Sequence, residues 1–277
     1  MTATQLAPAA PSPVAVVGIG RRATDLLASE WIKLWSVPST YLALAVAAVA
    51  APFISLSVAE ANVSYLRSGL PNGPDHVDPM AISFRGVALA QLILAAVGAL
   101  SITAEYGSGL VRTTFAAHPR RADVLAAKAI LVAGVALVFG QVLALGCFLA
   151  TQAVFVPVHI GLSLGTPGAV RAVSGAGLYL GVVSLLGLGL GAIVRHTAAA
   201  IVAVVVVFFL LPEIPSALPK PWDARIADLM PAVAAQQISS LRPDPALLTV
   251  GHAYALLAAY AVLLPVLGAI VVCRRDA

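Results

Sequence analysis

The densest group of charged and hydrogen-bonding side chains lies in one stretch, Glu105 to Lys128, reading EYGSGLVRTTFAAHPRRADVLAAK. It carries four bases, Arg112, Arg120, Arg121 and Lys128, against two acids, Glu105 and Asp123. Gly107, Gly109 and Pro119 interrupt it, so the spacing predicts a short helix inside a loop. Such a loop can pair charges with another protein and receive force from it. Catalytic patterns are missing. The phosphate-binding pattern G-x-x-x-x-G-K-[ST] needs glycine before lysine, and the lysines here follow Ile32, Ala127 and Pro219. There is no H-E-x-x-H and no G-x-S-x-G elbow. His76, His118, His159, His196 and His252 are scattered along the chain. Cys147 and Cys273 lie in an apolar run and near the C-terminal edge, a spacing that suggests neither a disulfide nor a metal site. The reading is therefore of a non-enzyme that binds no cofactor or metal of its own.

Composition sets the frame around that stretch. The chain has 277 residues, 60% hydrophobic and 10% charged, with a net charge of +4 and a mean hydropathy of +0.98. Soluble domains carry about 25% charged residues, so this chain lacks a polar coat. It reads as an all-α, multi-pass membrane protein forming one domain over residues 23–277. Residues 1–22 are Ala-, Pro- and Ser-rich, without a basic region ahead of their apolar run. They read as a disordered cytoplasmic tail rather than a secretory signal.

Residues 24–36 then form a helix, with Thr24 as its cap. Leu27, Trp31, Leu34 and Trp35 fall on one face at i, i+4, i+7 and i+8, and Glu30 and Lys33 fall elsewhere. Tryptophans opposite charges suit the headgroup layer. Six spans follow at about 39–59, 84–103, 124–154, 172–194, 198–218 and 251–272. Pro52 is a candidate kink in the first. Residues 60–80 read as a polar outer loop. From Ala129 to Val170 there are 42 residues without Asp, Glu, Lys or Arg, arithmetically enough for two crossings of about 20 residues. Pro157, His159 and the GTPG turn break the second half, so we read one span and an apolar outer loop, 155–170, that dips toward the membrane. Pro212 and Glu213 make the outer end of span five irregular. Residues 223–238 read as an amphipathic helix on the outer surface, interrupted by Pro231.

Charge orients this layout. The segments proposed inside hold Arg21, Arg22, Lys33, Arg112, Arg120, Arg121, Lys128, Arg195, Arg274 and Arg275, against Arg67, Arg85, Arg171, Lys220, Arg225 and Arg242 outside. Ten against six favours both termini in the cytoplasm. Seven spans would carry Arg274 and Arg275 outside. Within the spans the polar residues are neutral: Gln91, Gln141, Thr151, Gln152 and Tyr179. They either hydrogen-bond between helices or line a path for an amphipathic cargo. Ion-coupled carriers keep charges near the midplane, so transport here would need an external drive. Gly177 with Gly181, and Gly187 with Gly191, are small-xxx-small pairs, suited to packing within the chain or to a dimer seam.

The segments SEWIKLWSVPSTYLAL and AEYGSGLVRTTFAAHPRRADVLAAKAI, with the tail CRRDA, resemble the type-2 ATP-binding-cassette (ABC) permeases of high-GC bacteria. Trp35 and Pro38 depart from that pattern, where a basic residue and a non-proline stand in the family. The resemblance implies an interfacial elbow helix over 24–36 and a coupling helix at 108–117. It implies a bacterial plasma-membrane subunit that pairs as a homo- or heterodimer and docks two separate ATPase subunits, which hold the ATP and Mg. Leu110, Val111, Thr114 and Phe115 would then offer apolar and small contacts to a groove, and Arg112, Arg120 and Arg121 charge pairing. Glu105 and Tyr106 would transmit a tilt where span two meets the loop. The function implied is export of an amphipathic cargo such as a drug, peptide or lipid, with no nucleic acid involved. The alternatives are a stand-alone immunity or accessory protein of the membrane, and an integral membrane enzyme.

Overall fold

The computed structural model describes residues 19–68, 77–117 and 120–274. Every regular element in them is helical. The order is α1 (Ile19–Ser36), α2 (Pro38–Arg67), α3 (Pro79–Ser83), α4 (Val87–Ser108), α5 (Leu110–Ala117), α6 (Arg121–Phe155), α7 (Ala169–Val194), α8 (Thr197–Val205), α9 (Trp222–Ala227), α10 (Pro231–Ser239) and α11 (Val250–Arg274). Six are long and apolar enough to cross a membrane: α2, α4, α6 with its 3-10 extension to Val158, α7, α8 with its irregular continuation to Ala217, and α11. The chain is a multi-pass membrane protein.

Local chemistry explains most boundaries. Pro38 and Pro231 stand in the first turns of α2 and α10, where a missing N–H costs nothing. The Asp78 carboxylate accepts from the Met80 and Ala81 amides at 2.9 and 3.1 Å, capping α3. Gly109, at φ 75°, ends α4 in the left-handed conformation that only glycine enters freely. Gly107 lies inside α4 and breaks nothing. Beyond Val205 the fifth span becomes a π turn and then two 3-10 turns around Pro212 and Pro215, the irregular end expected from sequence.

The core is built around α7. Within its apolar window 72% of residues are buried inside the chain, against 17% for α11. Small residues make this possible. A Cβ on Gly187 would sit 2.0 Å from the Ala95 carbonyl oxygen, and one on Gly191 2.7 Å from that of Ala99, so α4 and α7 touch backbone to backbone. Gly177 and Gly181 meet Gln141 and Leu137 of α6. Both glycine pairs thus serve packing within the chain.

Three expectations are corrected. The first helix begins at Ile19, so Thr24 lies inside it rather than capping it, and the tail expected over residues 1–22 loses its last residues to that helix; residues 1–18 fall outside the described residues. Helix α2 runs on through Glu60 to Arg67, because its apolar residues continue at helical spacing to the buried Val63. Residues 69–76 of the expected outer loop fall outside the described residues. The irregular loop expected after α6 is present, and its Leu162 packs on the cluster around Phe148 and Ala172. The piece at 223–238 is two helices, and the second does not lie on a surface: Pro231, Ala234, Ala235, Gln237 and Ile238 of α10 are buried, packed against α7 and α11.

Candidate functional site

The site forms where α5 meets the ends of α1, α4 and α6. Its centre is a set of four charges. Lys128 donates to Glu30, and to Glu105 at 2.8 Å. Lys33 donates to Glu30 at 2.7 Å, to Glu105 at 3.2 Å and to the Thr114 hydroxyl at 3.3 Å. Two acids and two bases thus close a neutral network that joins α1, α4, α5 and α6. Glu30 is 2% exposed and Lys128 4%. Charges that deep persist only when paired and hydrogen-bonded.

Electrostatics agree with the geometry. Burial by itself raises the Glu30 carboxyl, but the charge and hydrogen bond of Lys128, together with Lys33, outweigh it and hold the group below its ordinary range. Burial by itself lowers Lys33, and the bonds and charges of Glu30 and Glu105 more than reverse that, so it stands raised.

The face of α1 that builds this network is not the one read from sequence. Leu26, Glu30 and Leu34 turn inward, with Leu27 half-buried against the cluster of Leu26, Val124 and Ala127. Trp31 and Trp35 point outward, 48% and 37% exposed, their rings 5.6 Å apart. Glu30 and Lys33, assigned to the far side from the apolar stripe, lie on or beside the buried face. Helical spacing showed that charges and tryptophans occupy different faces. It did not say which face met the protein, because an inward carboxylate is stable only beside a base supplied from elsewhere in the chain. The clue present was the row Leu26, Glu30, Leu34 at i, i+4 and i+8. Lys128, read as a loop charge, lies two turns inside α6 because that helix starts at Arg121.

Helix α5 is eight residues long and occupies most of the segment expected at 108–117. Its side chains divide. Val111 is buried, 4% exposed. Thr114 receives Lys33, and Phe115 packs between the clusters around Leu26 and Leu125. Leu110, Arg112, Thr113 and Ala116 are exposed, as is Arg120 at the start of α6. Of the residues assigned to an outside groove, Val111, Thr114 and Phe115 therefore attach α5 to its own bundle. Arg121 stacks over Phe115 at 5.3 Å from the ring centre, and Arg195 over Tyr106 at 5.3 Å. Tyr106 is part of the cluster with Ile102 and Leu188.

The remaining polar residues are distributed through the bundle rather than gathered at this site. The Tyr179 hydroxyl donates to Gln91 at 2.7 Å, joining α7 to α4. Gln141 donates to the Ser174 carbonyl at 2.9 Å, and Gln152 accepts from the Leu162 amide at 2.6 Å. All four make bonds between elements, the simpler of the two roles open to them. A scan against protein-family models finds no match, and a search of curated proteins finds none either.

Proposed function

We propose that this chain is the membrane-spanning permease subunit of an ABC exporter in a bacterial plasma membrane. One observation carries the reading. A short helix, α5, stands at one end of a six-span bundle with one face exposed, and its other face is held by a buried four-charge network. That is the construction needed by a part that takes a push. The exposed face, Leu110, Arg112, Thr113 and Ala116 with Arg120 nearby, would seat in a groove of an ATPase subunit. Val111, Thr114 and Phe115 would pass the displacement inward, Thr114 through Lys33 to Glu30 and Glu105. Arg121 and Tyr106 would hold the base of the helix. Two ATPase subunits would carry the ATP and Mg, and a second permease subunit would complete the path for an amphipathic cargo. The α5 end, with its basic residues, would face the cytoplasm, and the Trp31–Trp35 face of α1 would lie in the headgroup layer.

The test is co-purification with an ATPase subunit encoded beside the chain, followed by coupled ATPase activity in proteoliposomes. Leu110→Asp and Arg112→Glu change exposed positions, so the fold is retained and binding is expected to fall at least about tenfold, as for a central interface residue. Full binding and full coupling in both variants would reject the docking assignment. Activity of the chain with no ATPase present would favour the stand-alone reading.

A further inference from the structure

Two arginines outside the four-charge network connect the same end of the molecule to the last span. The Arg121 guanidinium lies over the Phe115 ring and its Nη1 donates to the Val272 carbonyl at 3.1 Å. The Arg195 guanidinium lies over the Tyr106 ring and its Nη2 donates to the Val271 carbonyl at 3.1 Å. Each guanidinium therefore has a ring from segment 105–117 on its face and the end of α11 at its edge. A planar cation with fixed N–H directions can do both at once; an ammonium is a point charge and cannot. The accepting carbonyls lie in the last described turn of α11.

The backbone is shaped to deliver one of these groups. Arg195 sits at φ 61°, in the left-handed region at the end of α7. Glycine commonly fills that place, and a residue with a Cβ is disfavoured there by about 1–2 kcal/mol. The two helices gripped are also closely joined to each other. A Cβ on Gly189 of α7 would lie 2.6 Å from the Leu264 carbonyl carbon, and one on Gly268 of α11 would lie 2.8 Å from the Ala192 Cβ. Helices α7 and α11 thus meet with almost no side chain between them along this half.

We infer that Arg121 and Arg195 are positioning residues that clamp segment 105–117 to the α7–α11 pair. A displacement of α5 is carried through the two rings and guanidiniums to Val271 and Val272, and so to the most buried helix of the bundle. The four-charge network holds α5 to α1, α4 and α6; the arginine clamp carries its motion to α7 and α11. This connection belongs to the chain itself and holds whether or not an ATPase is the partner.

The experiment uses the full chain in lipid nanodiscs. Cys273 is a free, exposed thiol at the end of α11, and Cys147 is buried. Spin labels on Cys273 and on Ala116→Cys report the distance between the last span and α5. The parent is expected to give one narrow distance distribution. Phe115→Leu with Tyr106→Leu removes the ring faces, and Arg121→Gln with Arg195→Gln removes the guanidiniums. Each pair should widen the distribution roughly twofold, and all four together should widen it no further, because both pairs break one shared connection. Unchanged widths, or widths that add in the quadruple variant, would overturn the clamp. If the glutamine variants fail to fold, the ring variants decide alone: an unchanged width there rejects it. Loss of ATPase binding with an intact clamp would reject the docking proposal and leave this inference standing.

Discussion

Glu30 and Lys128 show how far a single buried charge constrains this protein. Each is nearly inaccessible and each has its counter-charges within hydrogen-bond reach. Removing one member of such a set strands another charge in the interior, at about 3–5 kcal/mol. Glu30→Gln should lower thermal stability by about that much, and Lys128→Met in the same chain should restore part of it. Calorimetry on the purified protein checks this, and a double variant no more stable than the single would contradict it. The same network has a pH signature. A carboxylate held below its unfolded value adds stability that is complete above the ordinary carboxylate range and disappears as pH falls through its folded value. Lys33, raised in the fold, contributes below the ordinary lysine range and stops contributing as pH rises through its folded value. Stability should therefore be level across neutral pH and fall at both extremes. Glu30→Gln should flatten the acid limb, and an acid limb of equal depth in that variant would count against the assignment.

Among the elements, α7 and α10 carry the sharpest expectations. Helix α7 packs on α4 through glycines, and at Gly187 the nearest obstacle is main chain, which cannot rotate away. Gly187→Ala should separate the two helices and cost about 1–3 kcal/mol, the usual penalty for overpacking, read as a lower denaturation midpoint. Gly134, with nothing near its missing Cβ, is the control and should tolerate alanine. Helix α10 ends against Arg171, whose Nη1 reaches the carbonyls of Gln237 and Ile238 at 3.2 and 3.3 Å, and whose Nη2 reaches that of Ser240 at 2.7 Å. A guanidinium at a helix C-terminus satisfies orphan carbonyls and complements the helix dipole. Arg171→Met should release residues 231–241, and hydrogen exchange there should rise at least about tenfold if roughly one charged hydrogen bond is lost. Unchanged exchange would show that apolar packing alone holds α10.

For the whole molecule, an even number of spans brings the end of α1, helix α5 and the end of α11 to one side, as the bonds from Lys33 to Glu105 and from Arg121 to Val272 require. The excess of bases on that side predicts that it faces the cytoplasm. In intact cells, a membrane-impermeant maleimide should fail to reach Cys273; in inverted vesicles it should react fully. Labelling in intact cells would reverse the orientation and remove the docking reading with it.

The six spans were legible because hydropathy is additive along the chain: an uncharged run of sufficient length is a helix in lipid whatever surrounds it. Gly109 and the prolines at 212 and 231 were legible for a similar reason, since their backbone limits are their own. Tyr179 with Gln91 was legible as a need for partners, without the partners being named. The burial of Glu30 was not, because the base that allows it stands 98 residues away in the chain. Nor was the descent of α10 into the bundle, which depends on room beside Gly175 and on Arg171 at its end. The amino-acid sequence by itself determined that this chain is helical, has six stretches long and apolar enough to cross a membrane, and carries a short helix within the basic segment between the second and third of them. Only the tertiary structure decided which face of each helix is inside, because an inward-pointing charge or a missing side chain is stable only against the particular neighbour that the fold brings to it.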